Sequence, residues 1–166
     1  MHIHDDHMYH GAGLIQIAEH PTFKAINALN VGGKKSEVAY RINDNIAAYF
    51  KYCNEPKSRF NEYRFGFTAE HLEELDRIAE ANERTFVVLV CVRAREICCI
   101  SYQQLQDLVT ARREAKGEDE STYVVCVTAQ PGKSLRAYMN VPGKRGKFEK
   151  ELVIARNAFP GVIFEE

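Results

Sequence analysis

Apolar residues fall on alternate positions through much of the first half of the chain. Val38, Tyr40 and Ile42 form one such set, Ile46, Ala48, Phe50 and Tyr52 a second, and Tyr63, Phe65 and Phe67 a third. Successive strand side chains point to opposite faces, so each set predicts a strand with one face buried. Asn43-Asp44-Asn45 separates the first two sets and predicts a hairpin turn, because Asn and Asp tolerate positive φ. Residues 22–29 read as a strand leading into a turn at Gly32-Gly33. The run 85–92 is continuously apolar and rich in Val, the signature of a central strand buried on both faces. Residues 96–100 read as its hairpin partner. Residues 122–128 read as another strand, and 135–139 as its return after the turn Gln130-Pro131-Gly132-Lys133. The segment 141–150 reads as a basic, Gly-containing loop, 151–157 as a strand or short helix, and 159–164 as an apolar tail that packs down.

Helical spacing appears in three places. Leu14, Ile15, Ile17 and Ala18 give an apolar stripe over residues 9–19, ended by Pro21. Thr68 is placed to cap a second helix whose stripe is Leu72, Leu75, Ile78 and Ala79; Glu70, Glu73 and Glu74 lie in its first turns, where the helix dipole favours negative charge. Ser101 and Gln104 form a capping box before Leu105, Leu108 and Val109, and Gly117 ends that helix. The element order predicts an α+β fold: a single domain over residues 1–166, with a mixed β-sheet carrying hairpins and covered by three helices. Residues 1–8 are expected to form a His-rich arm.

At 166 residues the chain can bury a core without metal or disulfide staples. A composition 45% hydrophobic and 27% charged excludes a disordered chain, and a formal net charge of -1 leaves no global electrostatic drive toward nucleic acid or membrane. The five cysteines are odd in number and show no C-x-x-C spacing, and four of them sit within apolar runs. That usage fits thiols in a reducing compartment and a cytoplasmic location. The first ten residues are polar rather than secretory in character, and the longest apolar run, 86–92, is too short to span a bilayer.

Three constellations carry candidate chemistry. His2, His4, Asp6 and His7 satisfy the pattern H-x-H-x-D-H, which resembles the zinc motif of the metallo-β-lactamase superfamily. The resemblance implies that these four residues hold a divalent metal, zinc, and lower the pKa of a bound water. The chain departs from that family in having one residue ahead of the motif and only His71 as a histidine beyond His20. Read without the family, the terminus is either a metal-binding segment or a polar arm with Asp6 capping the first helix.

Helix, three strands, helix, strand is an order that resembles the core of the PD-(D/E)XK nuclease-like fold. The resemblance implies a carboxylate–x–Lys triplet on the third strand, which here is Tyr49-Phe50-Lys51. Tyr49 stands where the family has its metal-binding carboxylate. Asp44 lies in the turn, on the order of 20 Å from Lys51 along an extended strand. A degenerate, non-catalytic relative is therefore what the resemblance implies. The other reading of Lys51 is a strand lysine facing Glu37 across the hairpin.

The third constellation is basic. Lys133, Arg136, Lys144, Arg145, Lys147 and Lys150 are opposed only by Glu149, and Tyr138 and Phe148 are interleaved with them. Cations at that density can hold phosphates while the rings stack on bases; the alternative is a solvated loop. Cys91 and Cys126 lie within expected strands, where a thiol is usually inert. Three functional classes stay open: a nucleic-acid-associated domain, a divalent-metal-binding protein, and an adaptor or homo-oligomer that associates through a sheet edge or helix face.

Overall fold

The computed structural model describes residues 1–166, with the side chains of residues 145 and 146 outside the described set. Helix α1 spans Asp5–Ala18, so the arm ahead of it is residues 1–4 rather than 1–8. His4 takes the N-cap position and Asp6 lies inside the first turn, not at the cap. The first turn is polar on all sides, which is why the apolar stripe marked only the later turns.

Strands β1 (Ile26–Val31), β2 (Lys34–Ile42) and β3 (Ile46–Cys53) follow as an antiparallel meander. Strand β4 (Tyr63–Thr68) leads directly into α2 (Ala69–Ala81), which is followed by β5 (Arg84–Cys91) and β6 (Glu96–Ser101). Helix α3 (Tyr102–Lys116) precedes β7 (Thr122–Thr128), β8 (Leu135–Val141) and β9 (Lys144–Ile154). Thr68 and Ser101 both close capping boxes, the partners being the side chains of His71 and Gln104. Gly117 ends α3 at φ 81, a left-handed conformation that costs glycine little.

Residues 144–150 belong to strand β9 and not to a loop. The turn is confined to Pro142-Gly143, and β9 then runs along the edge of its sheet. An edge strand with one solvated face needs few apolar residues, so its polar composition concealed it.

The expected β-layer is divided into two sheets. One has the order β1-β2-β3-β5-β6 and is mixed, because β3 and β5 run parallel. The other has the order β4-β7-β8-β9 and is antiparallel throughout. Strand β4 leaves the meander and pairs with β7, Tyr63 opposite Val127 and Phe67 opposite Tyr123. Alternation fixes which face of a strand is buried but carries no information about its neighbour, so the sequence could not separate one sheet from two.

The main core lies between the two sheets. Tyr49, Val87 and Leu89 from the first sheet meet Phe65, Phe67, Val125 and Ala137 from the second, and α2 and α3 contribute Leu75, Ile78, Leu105 and Leu108. A second core lies on the other face of the first sheet. There Ile17 of α1 and Phe159 and Ile163 of the tail cover Ala48, Phe50, Val88 and Val90. Strands β3 and β5 are thus buried on both faces, as the apolar run 85–92 required.

The end of α3 is clamped by charge. The Arg112 guanidinium donates to both Glu120 oxygens, at 2.8 and 2.7 Å, and also to the Asn140 carbonyl. These bonds hold the Glu120 carboxyl below its ordinary value of 4.5, against the opposing effect of burial. A carboxyl depressed on folding adds stability above its unfolded value and loses it as pH falls through the folded one. Glu120→Gln is therefore expected to lower the melting temperature at pH 7 and to converge on the wild type in acid. Thermal unfolding of the two proteins from pH 7 to pH 3 checks this; a gap independent of pH would contradict it.

Candidate nucleic-acid interface

Strand β8 sets the geometry of this site. Leu135, Ala137 and Met139 point into the main core, so Arg136 and Tyr138 point to the outer face of the four-stranded sheet. The register continues that face onto β9 as Val153, opposite Arg136, and Glu151, opposite Tyr138. On β7 it continues as Cys126, opposite Tyr138, and Thr128, opposite Arg136, both of which are buried, so the exposed part of the face lies toward β9. Helices α2 and α3 pack in the main core and α1 on the far side of the first sheet, so none of the three lies on this face.

The rings of Tyr138 and Phe148 lie 4.6 Å apart at 37°. Phe148 is 39% exposed and Val153 58%, and no other residues from β8 or β9 stand among the large exposed apolar side chains. Phe60, from the loop before β4, Lys133, Arg136, Tyr138, Phe148 and Glu151 line a concavity of about 270 Å³ on this surface. The Arg59 guanidinium lies over the Phe60 ring, 4.9 Å from its centroid. Arg136 makes only a loose contact with Glu151, at 3.9 Å, with both side chains about one-third exposed. An ion pair of that kind holds its cation weakly, which leaves the guanidinium available to another anion.

Under this surface sits a carboxylate that the basic pattern did not reveal. Glu62 is fully buried, accepts from the Tyr138 hydroxyl at 2.7 Å and meets Arg64 at 3.4 Å. Burial and then this bond push the Tyr138 hydroxyl far above its ordinary value, so it stays protonated and donates. The bond fixes the Tyr138 ring on which Phe148 rests. The only sequence signal for Glu62 was its position beside the alternating set 63–67.

The basic residues do not share one surface. Lys133 and Arg136 flank the concavity, while Lys144 and Lys147 are exposed on the β8–β9 hairpin. Lys150 turns the other way and pairs with Asp107 on α3 at 3.3 Å. Arg145 lies outside the described side chains.

The amino terminus gathers less than its sequence pattern implied. The rings of His2 and His4 are 4.9 Å apart, and those of His4 and His7 5.6 Å. Burial and then the charge of Asp6 raise the pKa of Tyr52 on β3, so the Asp6 carboxylate faces that strand. Among the described residues no three His, Cys, Asp or Glu side chains are grouped to hold a metal ion. Tyr49 is 2% exposed in the main core, and the carboxylate that acts on Lys51 is Glu74 of α2. Lys51 lies on the core side of β3 against α2, away from the open sheet face. Among the described residues no helix is long and apolar enough to cross a membrane.

Comparisons of the chain with protein-family models, with curated proteins and with solved structures return no match.

Proposed function

We propose that this chain is a non-catalytic domain that binds single-stranded nucleic acid on the outer surface of its four-stranded sheet, at the β8–β9 edge. One observation carries the reading: an exposed aromatic ring, Phe148, backed by Tyr138 and flanked by Lys133 and Arg136 around a shallow concavity. Stacking needs a flat apolar platform open to solvent, and the backbone of the strand needs cations beside it. A duplex hides its base faces, so an exposed ring selects unpaired bases. Lys144 and Lys147 extend the cationic track along the hairpin. Binding rather than hydrolysis is favoured because Tyr49, buried in the main core, stands where a nuclease of the resembled kind has its metal-binding carboxylate. Buried thiols at Cys91, Cys98 and Cys99 support a reducing, cytoplasmic setting.

Fluorescence anisotropy with a labelled oligonucleotide about ten residues long, within the span that one such sheet face can engage, tests the proposal. Phe148→Ala is expected to weaken binding by about 1–3 kcal/mol, roughly 5- to 150-fold, the worth of one stacked base. Lys133→Ala with Arg136→Ala is expected to reduce the salt slope by about 0.7 for each phosphate left without its cation. Lys150→Ala, engaged with Asp107 on α3, is expected to leave binding unchanged. No binding at low salt, or equal binding by all the variants, would end this reading.

A further inference from the structure

A second cavity, of about 470 Å³, opens between the β1–β2 hairpin, β3 and α2. His71, Glu74 and Arg77 recur every three residues along α2 and form one wall; Tyr49 and Lys51 on β3 form the floor. Ser36 lies on the rim, where β2 bulges away from β1. Its hydroxyl donates to Glu74 at 3.0 Å and accepts from the Ala39 amide at 3.1 Å. The Ser36 hydroxyl thus ties the bulge of β2 to Glu74 on α2.

Lys51 is half-buried at this floor, and burial lowers the pKa of its amine, against the attraction of Glu74 and of the Phe67 ring face for the ammonium. Its nitrogen lies 3.3 Å from His71 Nδ1 and 5.0 Å from the centre of the Phe67 ring. His71 stands beside it as a neutral imidazole. Its Nδ1 accepts the Thr68 backbone N–H at 3.2 Å, which requires an unprotonated nitrogen, and burial followed by the Lys51 charge lowers its pKa. Lys51 belongs to none of the ion pairs among the described residues. Glu74 lies near enough to oppose the effect partly, but burial outweighs it and lowers the Lys51 pKa. A lowered pKa raises the fraction of the amine that is neutral, and so nucleophilic, at a given pH.

The rim supplies the other half of the argument. Lys34, Lys35 and Arg77 line the mouth, against Glu37 and the Ser36-bonded Glu74. Excess positive charge around a nucleophilic amine selects a ligand with an anionic group and an electrophilic carbon.

We propose that Lys51 forms an imine with a small aldehyde or ketone whose phosphate or carboxylate is held by Arg77, Lys34 and Lys35. The amine lone pair attacks the carbonyl carbon and the C–N bond forms. Both amine protons then leave with the carbonyl oxygen as one water, giving C=N; no electrons are gained or lost. Water reverses the step, so neither oxidant nor reductant is required. The site is independent of the sheet-face reading, and either can fail alone.

The test uses the full chain at pH 7 with limiting pyridoxal 5′-phosphate, followed by sodium cyanoborohydride to trap the imine and peptide mass mapping. Lys51 is expected to be labelled at least about tenfold faster than the exposed lysines, which are neutral only about 0.04% of the time at that pH. Arg77→Ala and the double change Lys34→Ala/Lys35→Ala are expected to lower that preference with the phosphorylated aldehyde. The same variants should leave labelling by propanal, which has no anionic group, unchanged. Lys51→Arg, checked for native circular dichroism, should lose the fast-labelled site. Equal labelling of Lys51 and exposed lysines by both aldehydes would overturn the proposal, and preference for Lys51 with propanal alone would overturn its anionic part.

Discussion

Phe50→Ala is expected to destabilise the fold by about 3–5 kcal/mol, the cost of losing a large aromatic from a closed site. Phe50 is fully buried on the α1 side of β3. The helix approaches it through Gly13, where an added Cβ would stand 2.6 Å from the ring edge. The nearest part of α1 therefore has no side chain that can move into the vacated space, and the cavity term stays large. The neighbouring rings of His10, 5.5 Å away, and Tyr40, 5.9 Å away, are held by their own packing. Ile15→Ala on the exposed side of the same helix is expected to change stability by less than about 0.5 kcal/mol. Urea unfolding of both variants measures the contrast. A Phe50→Ala loss close to that of Ile15→Ala would mean that α1 does not close the second core.

The residues around Phe50 also show where a sequence stops being informative. The set Ile46, Ala48, Phe50 and Tyr52 is legible as one buried face, and it is the face that α1 covers. Ala47 and Tyr49 on the opposite face are buried too, against the second sheet, which alternation alone does not disclose. Signals are legible wherever the physics is local: the caps at Thr68 and Ser101, the left-handed turn at Gly117 and the Asn43 hairpin all depend on a few neighbouring residues. Strand pairing depends on residues far apart in sequence. Tyr63 meets Val127, and that partnership is what divides the strands into two sheets.

The same distinction governs the candidate sites. The basic stretch is visible as composition, but composition does not assign faces. The β9 strand sends Lys150 toward α3 and leaves Phe148 on the outer surface, so the interface is smaller than the stretch and includes Phe60, which lies far from it in sequence. Lys51 stands out in the sequence for its missing carboxylate partner. Its neighbours turn out to be His71 and Phe67, whose significance follows from a helix cap and a sheet boundary absent from any motif. At the amino terminus the spacing of His2, His4 and His7 is legible, while the proximity of Asp6 to Tyr52 is not.

Tyr138→Phe separates what holds Phe148 in place from what that ring touches. The change keeps the ring and removes the hydroxyl that donates to Glu62 at 2.7 Å. A hydrogen bond to a charged group contributes about 1.5–3 kcal/mol, and among the described residues Glu62 would keep Arg64, at the longer distance of 3.4 Å. The variant is therefore expected to lose stability in that range. Glu62→Gln in the Tyr138→Phe background is expected to recover part of the loss, because a buried amide costs less to desolvate than a buried carboxylate. Binding of a single strand should change by less than about twofold in Tyr138→Phe, since stacking uses the π-face and not the hydroxyl. Urea unfolding across the double-mutant cycle and anisotropy on the same preparations give both readings. Unchanged stability in Tyr138→Phe would show that Glu62 is solvated rather than sealed beneath the ring. A large drop in affinity while the variant stays folded would place the hydroxyl itself against the ligand and remove the stacking platform as the basis of binding.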